Sequence, residues 1–150
     1  MTLDSAAPVQ RPLTLILTIK SGEDFRALAA LLQQSQSDPK GQLRQALDGI
    51  GTVHFARFVF LENNTKLAVI TTYDGDLRTY LDAFVNEIGQ LFDLILGHIS
   101  PAPPLPVDQH RQEFFAFIER HDVKAVEPFY SAYPTLTVKQ IRALAEGPGR

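Results

Sequence analysis

The segment 53–73 constrains the fold of this chain more than any other part of the sequence. Two runs rich in β-branched and aromatic residues, 53–61 and 66–73, flank the tetrapeptide Glu62-Asn63-Asn64-Thr65. Because asparagine tolerates positive φ, Asn63-Asn64 predicts a two-residue hairpin turn, which fixes the register of the two strands. The expected pairs are Phe60 with Leu67, Phe58 with Val69, Ala56 with Thr71 and His54 with Tyr73 on one face, and Phe55 with Thr72, Arg57 with Ile70 and Val59 with Ala68 on the other.

A strand and two helices are predicted ahead of the hairpin. Every odd position in residues 13–19 is apolar, which is typical of a strand with one buried face. Ser21, with Asp24 three residues later, predicts the start of a helix that Pro39 ends. A second short helix then follows and ends at Gly51.

The longest helix is predicted directly after the hairpin, where Asp74-Gly75-Asp76 turns the chain. Its apolar residues repeat at helical spacing and form one continuous stripe. The members of this stripe are Leu77, Tyr80, Leu81, Phe84, Val85, Ile88, Leu91, Phe92 and Ile95. We expect Asp74 and Asp76 to cap this helix.

Three elements are predicted at the C-terminal end. Asp108 caps a short helix whose residues Phe114, Phe115 and Phe117 cannot all face inward. Residues 126–130 form a last strand, and Pro128 within them indicates an edge position because proline cannot donate to a sheet. A capping box at Thr137 and Gln140 starts a terminal helix, of which Val138, Ile141 and Leu144 face inward.

The order strand, helix, hairpin, long helix and edge strand predicts an α+β fold, the ferredoxin-like βαββαβ pattern with extra helices and an antiparallel sheet. We expect a disordered leader over 1–11, a single domain over 12–146 and a tail over 147–150. Helices in this fold cover one face of the sheet. The other face carries Ile16, Phe55, Val59 and Ile70 and is too apolar to remain exposed to solvent. We therefore expect a homodimer with facing sheets, the dimeric α/β barrel.

Composition narrows the functional classes. The chain has no cysteine, which excludes disulfides, thiolate zinc sites and cysteine nucleophiles. Its net charge of −3 argues against a nucleic-acid partner. Charged residues interrupt the most apolar stretch, 77–99, so we expect no membrane span. No export signal is visible, so we expect a cytoplasmic protein and not a secreted one. Because the histidines lack metal-ligand spacing, we expect neither a metal nor a cofactor.

Three segments carry a resemblance to a known family. VHFARFVFLENN, TTYDGDLRTYLDAFV and FYSAYPTLTVKQI are similar to an uncharacterised family of bacterial proteins in the ferredoxin-like, dimeric α/β-barrel superfamily. The resemblance covers residues 52–144, with a weaker fit at 13–19. It implies the fold and the dimer. The superfamily includes cofactor-free monooxygenases, haem peroxidases, chlorite-degrading enzymes, lactone isomerases and small ligand-binding domains, so it does not imply one activity.

The open face of the sheet holds the favoured candidate site. Arg57 lies in mid-strand and is expected to bind a carboxylate or an enolate bidentately. Its expected neighbours in a ligand site are Phe55, Thr14, Thr18 and Thr72. The alternative is that Arg57 forms a surface or intersubunit ion pair.

Weaker candidates lie at the strand ends. His54, opposite Tyr73, is a candidate general base that the Tyr73 phenol orients. The alternative is that His54 is an inert histidine at the end of a strand. The stretch 71–75 resembles the GxxDG signature of dye-decolorising peroxidases, in which the aspartate, here Asp74, is the distal acid above haem. Thr71 replaces the first glycine of that signature. His98, after the long helix, is a candidate haem ligand. The alternative is that His98 only interacts with the C-terminal end of that helix.

Two functions remain open at this point. The first is a dimeric binding module for a small apolar or amphipathic ligand. The second is a cofactor-free monooxygenase or isomerase acting on an aromatic or polyketide-like acid, or a reduced relative of haem peroxidases. Since neighbouring strand residues point to opposite faces, His54 and Arg57 serve one cavity only if a β-bulge intervenes. That geometry favours the binding module.

Overall fold

The computed structural model describes residues 7–37 and 41–147. The three strands, β1, β2 and β3, form one antiparallel sheet in the order β1-β3-β2, so the α+β class is confirmed. The elements in chain order are β1 (Gln10–Thr18), α1 (Gly22–Ser37), α2 (Gln42–Ile50), β2 (Val53–Leu61), β3 (Lys66–Asp74), α3 (Leu77–Leu96), a 3₁₀ turn (Val107–Gln109), α4 (Arg111–His121) and α5 (Val138–Glu146).

Three sequence-based expectations fall wholly or partly outside those residues. Residues 1–6 of the predicted leader and 148–150 of the predicted tail are not described, nor is Pro39 at the predicted end of the first helix. The strand β1 begins at Gln10, inside the segment predicted as leader. Gln10 is held there because its side-chain amide donates to the backbone oxygens of Tyr133 and Leu136, at 2.8 and 2.9 Å.

The hairpin has the predicted register from its turn up to Phe55. Phe60 pairs with Leu67 and Phe58 with Val69, and the alternate pairs, including Arg57 with Ile70, also match. The turn residues Glu62, Asn63 and Asn64 have φ values of 52, 54 and 64°. Two adjacent asparagines suit this left-handed backbone because their short polar side chains tolerate it.

The predicted pairing of His54 with Tyr73 is wrong. A β-bulge between Val53 and Phe55 shifts the register, so that Val53 faces Tyr73 and His54 leaves the ladder. The bulge has a local cause at the end of the sheet, where the Asp74 amide donates to Thr52 (2.9 Å) and the Asp74 carboxylate pairs with the His54 ring. A bulge of this kind re-aims one side chain without disturbing the strand beyond it.

The core lies between one face of the sheet and the helix α3. Its strand residues are Leu13, Leu15 and Leu17 of β1 and Leu67 and Val69 of β3, which the period-two pattern predicted. The buried face of α3 includes the predicted stripe, with Leu77 and Leu91 at its partly exposed margin. No helix within the described ranges is long and apolar enough to cross a membrane.

The three phenylalanines of α4 correct an expectation. Phe114, Phe115 and Phe117 are all buried, although they cannot share one helix face. The helix α4 contacts both β1 and α3, so two of its sides meet protein. Phe115, on the side nearer solvent, is covered by the guanidinium of Arg78, which lies 5.0 Å from the ring centroid.

The predicted last strand at 126–130 is absent. The chain after α4 touches β1 at an isolated bridge, where the Asp122 carboxylate accepts from Thr14 N (3.1 Å) and Val123 N donates to Thr14 O (2.7 Å). It then continues without strand pairing, and Val126 is 92% exposed. Pro128 has no N–H to donate, and the apolar content of this segment is like that of a strand although the segment does not pair.

The terminal helix is confirmed, but its predicted inner face is only partly right. Thr137 and Gln140 form the expected capping box. Val138 is buried, whereas Leu144 is exposed. The reason is that α5 docks on the end of the sheet by its first turn, through Val138 N and the Asp74 carboxylate at 2.8 Å, and its last turn extends beyond the core.

Two stacked tyrosines give a prediction for alkaline stability. Tyr73 and Tyr80 stack at 4.4 Å, and burial raises the pKa of Tyr80 to about 12 from its usual value of 10.0. A raised phenol pKa favours the protonated folded state, so stability is complete below pH 10 and falls as pH rises toward 12. Ionisation of Tyr80 should lower the unfolding free energy by roughly 2–3 kcal/mol over that pH interval. Tyr80→Phe should show a smaller decrease over the same interval.

Urea unfolding followed by circular dichroism at a series of alkaline pH values measures this effect. Tyr130, which is 88% exposed, provides the matched control, because Tyr130→Phe should leave the pH dependence as it is in the wild type. Equal slopes for wild type and Tyr80→Phe would contradict the expectation.

Candidate functional site

The predicted ligand residues lie on the open face of the sheet, in rows set by the register. Phe55 is directly across from Thr72, and Arg57 is across from Ile70, which is in turn across from Thr14. Neighbouring strands are about 4.8 Å apart, so Arg57 and Thr14 flank Ile70 at a separation of about 10 Å. These five residues form one neighbourhood on the open face.

Thr18 lies apart from that neighbourhood. It faces Lys66 at the far end of the sheet, and the Lys66 ammonium donates to the Thr18 hydroxyl at 2.9 Å. The alternation of β1 placed Thr18 on the correct face but could not give its distance along the strand from Arg57. A ligand held by Arg57 would therefore meet Thr72 and Thr14 before Thr18.

Arg57 itself is exposed, and it makes no ion pair or hydrogen bond with any residue of the described ranges. A shallow cavity of about 420 Å³ surrounds it, lined by Phe55, Ala56, Arg57, Ile70, Thr71 and Thr72. Phe55 is 75% exposed beside the guanidinium. The arrangement offers one cation and one aromatic ring to a molecule from outside, which suits an aromatic acid.

His54 and Asp74 form the second candidate group. The His54 Nε2 and Asp74 Oδ1 atoms are 2.6 Å apart, and the two side chains are 7% and 6% exposed. The other carboxylate oxygen of Asp74 accepts from Val138 N. This pair was not predicted, because it depends on the bulge at His54, and nothing in the alternation of the strand shows that bulge.

Tyr73 does not join this group. It points to the core face, stacks on Tyr80 and is buried, and burial raises the pKa of its phenol. The expected pair of His54 with an orienting phenol is therefore wrong, and the orienting partner is a carboxylate.

The capping role expected of Asp74 also needs correction. Asp76 alone caps α3, and its carboxylate accepts from Thr79 N at 2.9 Å. That hydrogen bond holds the pKa of Asp76 below its usual value. Asp74 precedes Gly75, whose φ of 91° turns the chain, and its side chain lies under the start of α5 instead.

His98 has a structural partner. Its Nδ1 lies 2.8 Å from a carboxylate oxygen of Asp24, in the first turn of α1. The hydrogen bonds from Ser21 and His98 hold the pKa of Asp24 below its usual value. Within the residues that the structure describes, no three histidine, aspartate or glutamate side chains are grouped closely enough to hold a metal ion.

Comparison with known proteins gives one similar fold. No family model matches the sequence, and no curated protein does. A solved structure, described as "Crystal structure of MupZ from Pseudomonas fluorescens", is similar with a TM-score of 0.56 and 12% sequence identity. The superposition covers 91% of this chain and 100% of that chain. At this level of identity the likeness extends to the α+β fold of the two chains.

Proposed function

We propose that this chain is a ferredoxin-like subunit of a homodimeric α/β barrel that binds a small amphipathic anion between its facing sheets. The observation that carries the proposal is exposed Arg57, a cation without a described partner, beside exposed Phe55 on a face whose other apolar residues Ile16, Val59 and Ile70 are half-buried. An unpaired charge in an apolar surface is costly once that surface is covered, unless a counter-ion accompanies it.

The strand order supports the ferredoxin-like arrangement. That pattern places the first and third strands side by side at the centre, and here β1 pairs with β3. The position of a fourth strand, on the outer edge of β1, is taken by the bridge at Asp122 and the segment that follows it.

The open face provides about half of the area that each partner of a stable dimer buries. Three strands of nine residues give a face of roughly 400 Å², from a rise of about 3.3 Å per residue and a spacing of about 4.8 Å. A stable dimer needs about 800 Å² per partner. The segment beside β1 can supply the remainder, because Val126, Tyr130 and Tyr133 within it are exposed apolar residues.

The chemistry of the face favours binding over turnover. Acid–base catalysis beside Arg57 would need a base on the same face. A β-bulge does re-aim His54, but the ring pairs with Asp74 and does not line the cavity around Arg57. Arg57, Phe55, Thr72 and Thr14 are suited to hold an aromatic carboxylate, with the ring on Phe55 and the acid on the guanidinium.

The dimer is tested by placing a charge on the open face. In Phe55→Glu each copy would carry a carboxylate into the apolar contact, so we expect the wild type to sediment as a dimer at micromolar concentration and the variant as a monomer. Leu94→Glu is the matched control, because Leu94 is an exposed residue of α3, away from the sheet, and it should leave the dimer intact. A monomeric wild type would overturn the proposal.

The ligand is tested on the same proteins with benzoate and 1-naphthoate in thermal melts. Arg57→Ala should weaken their binding by roughly 1.5–3 kcal/mol while the dimer persists, as expected for the loss of a charge-assisted hydrogen bond. Arg26→Ala, at an exposed site on α1, should bind as the wild type does. If Arg57→Ala dissociates the dimer and no acid stabilises the wild type, Arg57 is an intersubunit partner and the binding function is wrong.

A further inference from the structure

We propose that a second pocket, enclosed by α1, α2, α5 and the start of β2, binds a small carboxylate anion through Nδ1 of His54 and the guanidinium of Arg44. The pocket meets the proposed dimer face at Phe55, which lines both this pocket and the cavity around Arg57. Its polar residues differ from those around Arg57, so it does not depend on the function proposed above.

Asp74 determines which nitrogen of the His54 ring is left for a ligand. A neutral imidazole has one N–H donor and one acceptor nitrogen, whereas the imidazolium donates from both nitrogens. Because Nε2 lies 2.6 Å from the Asp74 carboxylate, Nε2 donates to that oxygen, and Nδ1 is the ring nitrogen left for another partner. The same carboxylate also binds Val138 N, so its position is fixed from two sides.

Solvent reaches Nδ1 of His54. No residue of the described ranges forms a hydrogen bond with it. Among those residues the only completely buried side-chain nitrogen or oxygen without a hydrogen bond is the Thr71 hydroxyl. Nδ1 of His54 therefore keeps an accessible edge, although the whole side chain is only 7% exposed.

His54 lines a pocket beside α2 and α5. It has a volume of about 350 Å³, within the range of small-molecule sites. Its polar wall comes from Arg44 and Asp48 of α2 and Arg142 of α5, and its apolar wall includes Leu43, Leu47 and Val53.

The charges of the pocket select the ligand. Arg142 and Asp48 pair at 3.1 Å and neutralise each other. Arg44 lines the same pocket and has no ion pair within the described ranges, so one positive charge is left over. A carboxylate that meets Arg44 supplies the missing negative charge, and it accepts a second hydrogen bond from Nδ1–H of a His54 ring that donates to Asp74 through Nε2.

Side-chain NMR of the four histidines tests this site, with sodium benzoate as the probe at neutral pH. Benzoate should shift the His54 Nδ1 signal in a saturable manner, while the signals of His98 and His110 stay unchanged. A His54 signal that does not respond would overturn the proposal.

Variants separate this site from the dimer face. Arg44→Gln changes an exposed side chain and is expected to fold, and it should weaken the benzoate effect on His54 at least tenfold. Arg57→Ala should leave that effect unchanged, even if the open face binds benzoate as well. An unchanged affinity in Arg44→Gln would show that the pocket is not the site, whereas a loss only in Arg57→Ala would assign all binding to the sheet face.

Discussion

Replacing Phe114 with alanine is expected to lower the free energy of unfolding by about 3–5 kcal/mol, as for other buried aromatic residues. Phe114 is inaccessible to solvent and lies at the centre of an aromatic cluster. Its ring centroid is 6.3 Å from that of Phe84, 6.1 Å from that of Phe92 and 6.3 Å from that of Phe115. Truncation would leave a cavity between α3 and α4, which the helices cannot close without losing other contacts.

Urea unfolding monitored by circular dichroism gives the change, with the midpoint and the slope fitted separately. Leu144→Ala is the control, because that side chain is 69% exposed on the last turn of α5 and its loss should change stability by less than about 0.5 kcal/mol. A loss below about 1 kcal/mol for Phe114→Ala would mean that α4 does not pack on α3 as described.

The features that sequence reasoning predicted correctly are local. The register of the hairpin follows from the turn at Asn63-Asn64, the N-terminus of α5 from Thr137 and Gln140, and the core face of α3 from its helical spacing. Each of these depends on residues that are near one another in the chain, so the relevant physics is contained in a short window.

The features that it missed depend on contacts between distant segments. The bulge at His54 requires Asp74, which is 20 residues away, and the burial of Phe115 requires Arg78 from another helix. The segment 126–130 has a strand-like composition, but the outer edge of β1 is already hydrogen-bonded at Thr14 to Asp122 and Val123. No pattern within these segments contains that information.

The candidate residues divide in the same way. Arg57, Phe55 and Thr72 could be assigned to one face from the alternation of the hairpin alone, and the register confirms that they share it. Arg44 and Arg142 could not be found, because they are ordinary exposed helix residues until α2 and α5 bring them to His54. A site assembled from three helices and a strand end has no sequence signature of its own.

Asp74→Ala is expected to cost about 2–6 kcal/mol of unfolding free energy, the second large effect. The Asp74 carboxylate accepts from two donors, the His54 ring and the Val138 amide, and both remain in the folded variant without an acceptor. A buried donor left without its partner costs about 1–3 kcal/mol, and two such donors account for the range. Thermal or urea unfolding measures the sum.

Asp76→Ala is the matched control for that variant, because Asp76 is two residues away and caps α3 at the exposed surface. Loss of an exposed cap costs about 1 kcal/mol, since water replaces the lost acceptor. Asp74→Ala should also speed hydrogen exchange at the Val138 amide, which Asp76→Ala should leave protected. Equal losses in the two variants, with the Val138 amide still protected in both, would show that Asp74 is a second helix cap and not the link between the sheet, His54 and α5.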